Sequence, residues 1–247
     1  MMRAALLTGM RTFELREIER PRPQAGEALL KVKLCSICGS DIRTYNYGNE
    51  RVRYPAVIGH EISGVIVKVG TGTHEFQIGD RICIGADVPS MQDYWSKNGM
   101  ANLSDINYAV GYQFPGGYAE YCLLNELTLN FGPVAKIPNN LSFEEASLTE
   151  PLACCINGLE RAFMEPGKSV LVIGAGPIGI LLCRAALAFG AGLVVIVDND
   201  PKRADQAKAL GLSNAYSMVE TNLPELTRQI TDAQGFNIVL TACSSPD

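Results

Sequence analysis

The sequence predicts an α/β chain in two parts. A β-rich, strongly bent sheet or partial barrel is expected over residues 1–150, and a doubly wound parallel sheet over 151–247. Two observations carry this reading. Up to about residue 150, short β-favouring runs are separated by turn signals such as Pro21-Arg22-Pro23 and Gly70-Thr71-Gly72. Beyond it, continuous β-branched runs alternate with helical stretches, the pattern of parallel strands buried on both faces.

In the first part, residues 4–7, 12–18, 28–34, 61–69, 81–84, 117–124 and 134–137 read as strands. In the second, 169–173, 193–197, 215–218 and 237–241 read as parallel strands, joined by helices over 176–189, 201–210 and 223–233. Pro201 suits a first helical turn, with Asp200 as its N-cap. A dinucleotide-binding sheet of this kind uses six strands, and only four candidates follow residue 168. The sequence therefore predicts a fold cut after its fourth strand, with a minimal four-stranded domain as the alternative.

Composition removes several function classes. The 247 residues are 47% hydrophobic and 19% charged, enough apolar material for a sizeable core. Net charge is −5 with no basic stripe, so no nucleic-acid partner is expected. The most apolar stretch, 169–183, holds three glycines and a proline and ends at Arg184, too short and broken to span a bilayer. Charge returns within a few residues of Met1, so no signal-peptide core is expected. Eight scattered cysteines without a leader predict reduced thiols and a cytoplasmic location.

Gly174-Ala175-Gly176-Pro177-Ile178-Gly179 follows an apolar strand and opens a helix, the context that gives G-x-G-x-x-G its meaning. Gly174 permits the tight turn, Gly176 lets backbone N–H groups approach a pyrophosphate, and Gly179 lets helix and strand pack closely. Asp198 ends the next strand, 22 residues beyond Gly176, where a carboxylate accepts from both ribose hydroxyls and favours NAD. Lys202 and Arg203 lie nearby and could soften that preference; a turn-capping role for Asp198 is the structural alternative.

Of two histidines, His74 sits in a polar turn and is most simply solvated. His60, in Gly59-His60-Glu61, becomes a metal ligand only with partners. Cys38, Glu61 and Glu150 are the candidates, since zinc accepts thiolate, imidazole and carboxylate together and a catalytic zinc keeps one position open. Spacing alone does not show that they meet. Cys35 and Cys38 also form C-x-x-C, readable as a redox pair. Cys83, Cys122, Cys183 and Cys243 fall in apolar runs and read as core, as does Cys35 on its strand. Cys154 and Cys155, adjacent on a predicted helix, face different directions, so at least one is expected to pack.

Cys38-Gly39-Ser40-Asp41, Gly59-His60-Glu61-x-x-Gly64, Gly79-Asp80-Arg81, Pro115-Gly116-Gly117-Tyr118-Ala119-Glu120-Tyr121, Glu150-Pro151-Leu152-Ala153 and the glycine fingerprint occur in this order along the whole chain. Together they resemble the zinc-dependent medium-chain dehydrogenases, closest to the sorbitol (polyol) and threonine branch. The resemblance implies an N-terminal GroES-like catalytic domain over 1–150 and a partial Rossmann domain over 151–247. It implies zinc held by Cys38 and His60, with Glu61 a direct ligand in the polyol branch and Glu150 beside the metal as ligand or through its water. It further implies NAD as cofactor, a small alcohol or polyol as substrate, Ser40 relaying the alcohol's proton, and a homo-oligomeric parent protein. Ser40 also reads as capping the short helix that begins there. Arg43, Tyr45 and Tyr47 could reach substrate or lie on the surface.

Two other readings stay open: a non-catalytic zinc-binding fragment of such an enzyme, and a zincless quinone-reductase-like relative, which retention of Cys38, His60 and Glu150 disfavours. One departure stands out. Where many relatives hold a second, structural zinc with C-x2-C-x2-C-x7-C, this chain has Ser90, Asp93, Ser96 and Ser104. Serine hydroxyls and one carboxylate are a poor zinc set. The structural zinc is expected to be absent and the 87–112 lobe loose, unless Tyr94, Trp95 and Tyr108 hold it.

Overall fold

The computed structural model describes residues 1–73 and 75–243; His74 therefore lies outside the described residues. The chain divides into two compact units, Met1–Glu150 and Pro151–Asp247.

In chain order the first unit contains β1 (Met2–Gly9), β2 (Thr12–Ile18), β3 (Ala28–Ser36), α1 (Gly39–Tyr47), β4 (Glu61–Val69), β5 (Arg81–Ile84), β6 (Asp87–Pro89), α2 (Tyr94–Lys97), β7 (Asn107–Ala109), β8 (Tyr121–Leu124), α3 (Glu126–Phe131), β9 (Val134–Lys136) and α4 (Phe143–Ser147). Five strands form an antiparallel sheet in the order β8-β3-β4-β5-β9, while β1-β2 and β6-β7 form separate pairs. Two register shifts in the β3–β4 ladder, at Leu29/Leu30 and Val32/Leu34, bend the central pair, as bulges do. Leu30, Ile62, Ile66, Ile82 and Leu124 are buried and pack into one core; each such side chain contributes about 1.5–3 kcal/mol by leaving water.

The strand expected over 117–124 starts only at Tyr121. Residues 116–118 instead run beside 57–59, with Gly116 N–H donating to Val57 O at 2.8 Å, Gly117 to Gly59 O at 2.9 Å and Tyr118 to Ile58 O at 3.0 Å.

The lobe is folded around polar groups. Asp93 caps α2, accepting from Ser96 N at 2.7 Å, and its other carboxylate oxygen accepts from the Ser104 hydroxyl. Ser90 Oγ donates to Ser96 Oγ at 3.2 Å. The four positions of the lost cysteine spacing thus meet as one hydrogen-bonded cluster. Tyr94 and Trp95 remain largely exposed and touch each other edge to face, so of the three aromatics only Tyr108, stacked on Phe114, packs inward.

The second unit begins within α5 (Thr149–Arg161) and continues through β10 (Ser169–Ile173), α6 (Pro177–Ala188), β11 (Leu193–Asp198), α7 (Pro201–Ala209), β12 (Ala215–Ser217), α8 (Leu223–Ile230) and β13 (Ile238–Thr241). Its sheet is parallel in the order β12-β11-β10-β13. Side-chain alternation divides the strands between two cores. Val170, Val172 and Ile196 pack with Leu182, Cys183 and Ala186 of α6, while Leu171, Val195 and Val197 pack with Leu223 and Ile230 of α8. That is the doubly wound arrangement the sequence predicts, with the order reversing between β10 and β13. Cys83, Cys122 and Cys183 are buried, and so is Cys155, whereas Cys154 is exposed. Cys243 is also exposed, contrary to expectation, because it lies beyond the end of β13.

Candidate functional site

Cys38 is the N-cap residue of α1, in an extended conformation that turns the chain from β3 into the helix. Asp41, at the third helical position, reaches back to accept from Cys38 N–H at 3.0 Å. His60 and Glu61 arrive on the start of β4, behind Gly59, whose φ of +93° favours glycine. A Cβ at Gly59 would also stand 2.7 Å from the Tyr118 ring, so glycine is doubly required there.

These segments bring one donor atom each from Cys38, His60 and Glu61 within 4.8 Å of one another. His60 and Glu61 are only 3% and 5% exposed, whereas Cys38 is half-buried, so the cluster is closed on the protein side and reachable on the other. Ser40 Oγ lies 3.4 Å from His60 Nε2, and Asp41 Oδ1 lies 3.5 Å from His60 Nδ1.

The donor atoms act strongly on one another. Hydrogen bonding to His60 lowers the Cys38 thiol against the opposing effect of burial. Burial presses the His60 imidazole down, but Asp41 and Cys38 outweigh it and bring it up to about 11. Burial and the charge of Glu150 both raise Glu61. A thiol, an imidazole and a carboxylate crowded by a second acid suit a borderline-soft divalent ion, whose charge would relieve that repulsion. Zinc fits these residues. Glu150, on the first turn of α5, acts on Glu61 through its charge.

The other sequence candidates divide. Tyr45 packs with Leu7, Val52 and Ile58 and stacks on Phe13, while Tyr47 and Arg43 are exposed. Cys35 is packed against the first core, with its thiol pushed up chiefly by burial. Asp41 and Tyr118 were not singled out, although both lie in quoted motifs. The third-position acid after an N-cap was the available signal for Asp41; nothing in the sequence pairs it with Tyr118.

In the second unit, Gly174 has φ +108°, Gly176 is the N-cap of α6 and Pro177 opens the helix. A Cβ on Gly179 would stand 1.8 Å from Gly174 O, whereas one on Gly176 would meet nothing within 4 Å. The third glycine is thus needed for packing, and the second leaves open space at a helix N-terminus, where a phosphate is favoured. Asp198 accepts from Ala175 N at 2.7 Å and from Asp200 N at 2.8 Å, so it ties the glycine turn and also caps its own turn. Arg203 approaches it at 3.8 Å, and Ile178 is partly exposed on the first turn of α6. This cradle fits a dinucleotide.

Comparison with known proteins agrees with both halves. Residues 24–137 match the alcohol dehydrogenase GroES-like domain, and residues 177–247 match the zinc-binding dehydrogenase family. The sorbitol dehydrogenase of Bacillus subtilis is 31% identical over 99% of this chain and 69% of its own length. That of Ovis aries is 36% identical over 87% of this chain and 60% of its own. An Escherichia coli alcohol dehydrogenase solved with its cofactor NADH superposes with a TM-score of 0.87 at 29% identity, covering 100% of this chain and 70% of that one. The chain therefore spans roughly two thirds of its relatives' length. On these matches and this donor set, the chain belongs to the zinc-dependent medium-chain dehydrogenase family, in its sorbitol (polyol) branch.

Proposed function

We propose that this chain serves NAD-dependent oxidation of a secondary alcohol or polyol, with Cys38, His60 and Glu61 holding a catalytic zinc. The observation that carries the reading is the convergence of those three donors within 4.8 Å at a site closed on one side only. When bound, zinc supplies a Lewis acid toward the alcohol oxygen and NAD supplies the hydride acceptor. The chain's own residues do the rest. Ser40, half-buried beside His60, takes the alcohol's proton and passes it outward. Glu150 tunes the donor set through its charge on Glu61. The backbone at Gly174, Gly176, Pro177, Ile178 and Gly179 cradles the pyrophosphate on the N-terminus of α6, while Asp198 and Arg203 engage the ribose.

The same reading carries a cytoplasmic location and a homo-oligomeric assembly. The unpaired thiols of Cys35, Cys38, Cys83, Cys122 and Cys183 support the first. Among the described residues, no helix is long and apolar enough to cross a membrane. The test is one preparation assayed twice: zinc per chain by elemental analysis, and NADH formation at 340 nm with sorbitol. One zinc with turnover is expected. Zinc without turnover would favour a non-catalytic zinc-binding role, and no zinc would sink the proposal.

A further inference from the structure

Tyr118 lies outside the donor set, yet two connections join it to His60. Its backbone runs beside residues 57–59, and its ring fills the space that a side chain at position 59 would need. Its hydroxyl stands 2.8 Å from Asp41 Oδ2 and 3.3 Å from Ser36 O. A phenol has one proton for two acceptors, and the shorter, charged one wins.

The rest follows from counting the bonds on one carboxylate. Asp41 Oδ2 accepts from Cys38 N–H at 3.0 Å as well as from Tyr118. Its partner oxygen, Oδ1, faces His60 Nδ1 at 3.5 Å, an electrostatic contact longer than a hydrogen bond, and Nδ1 is buried with no other polar partner among the described residues. The last torsion of an aspartate is broad and two-fold, so a single backbone bond fixes the carboxylate plane poorly. Two donors on one oxygen fix it well. We infer that Tyr118 is a positioning residue: its hydroxyl locks the Asp41 carboxylate, which orients the His60 imidazole with Nδ1 toward Asp41 and Nε2 toward Ser40. This rests on the reading of Cys38, His60 and Glu61 as zinc ligands.

Tyr118→Phe tests it, because it keeps the ring against Gly59 and removes only the hydroxyl. Zinc affinity of the 247-residue chain is measured by competition with a chromophoric chelator, with thermal unfolding in parallel. Outer partners of a metal-bound histidine are worth about 10- to 100-fold in affinity. One bond further out, Tyr118→Phe is expected to weaken zinc by about 3- to 10-fold. In an Asp41→Asn background the same change should cost less than about twofold, since the hydroxyl acts through that carboxylate. Unchanged affinity in Tyr118→Phe overturns the inference, and so does an equal loss in both backgrounds. An unsubstituted chain that binds no zinc overturns the ligand assignment itself, a failure read from a different sample.

Discussion

Alanine at two glycines of one turn should give opposite phenotypes. At Gly179 the new Cβ falls 1.8 Å from the backbone oxygen of Gly174, and neither atom can rotate away, so α6 must move by roughly 1.5 Å to restore ordinary contact. Overpacking of this kind costs about 3 kcal/mol at its upper end. Alanine's preference over glycine inside a helix returns about 1 kcal/mol. The net loss is about 2 kcal/mol, which lowers the urea midpoint by roughly 1 M at ordinary m-values. At Gly176 the backbone is extended, φ −77° and ψ −177°, which alanine adopts freely, and nothing lies within 4 Å of the added methyl. Stability should change by less than about 0.5 kcal/mol. NADH binding, followed by its fluorescence, should weaken at least about tenfold, because the methyl stands where backbone must approach the pyrophosphate. If Gly176→Ala binds NADH unchanged and Gly179→Ala keeps the original midpoint, the assignment of roles within the turn is wrong.

Three further outcomes are expected. Glu61→Gln should weaken zinc binding by at least about tenfold, whereas Glu150→Gln should keep zinc and lower turnover; elemental analysis after dialysis separates them. Asp93→Ala, which removes the α2 cap and the Ser104 contact, should speed limited proteolysis within 87–112, and a chelator should leave cleavage of the unsubstituted lobe unchanged. Asp80 has its carboxyl held low: burial opposes this, but the Gln77 N–H and Lys136, at 2.9 and 3.0 Å, prevail. A depressed folded pKa contributes stability above the unfolded value of 3.8 and loses it as pH falls through the folded value. The urea midpoint of Asp80→Asn should accordingly fall less steeply below pH 4 than that of the unsubstituted chain.

Local chemistry made much of this legible. The strand-turn-helix setting of Gly174–Gly179 is a short-range pattern, and the doubly wound sheet follows from β-branched runs alternating with helices. Asp198 could be located by counting from the fingerprint, but its bond to Ala175 N could not, since that depends on where two strand ends come to lie. Cys38, His60 and Glu61 were nameable as residue types suited to zinc; their meeting needed the fold, because the first two stand 22 positions apart. The Tyr118–Asp41 bond spans 77 positions and leaves no periodic trace. The strand expected at 117 starts later because glycines beside a β-run look like part of it, whereas here Gly116 serves the close approach to residues 58 and 59 and Gly117 the approach to the Ile62 and Cys35 side chains. β6 and β7 are three residues each, too short for alternation to show. The capping box Ser142-x-x-Glu145, which starts α4, is by contrast a short-range signal.

X-ray absorption at the zinc edge tests the central claim most directly. The account predicts one zinc per chain with a single sulfur neighbour near ~2.3 Å and its remaining neighbours nitrogen or oxygen at ~2.0–2.2 Å. A shell of several sulfurs, or a chain that takes up no zinc, would contradict it.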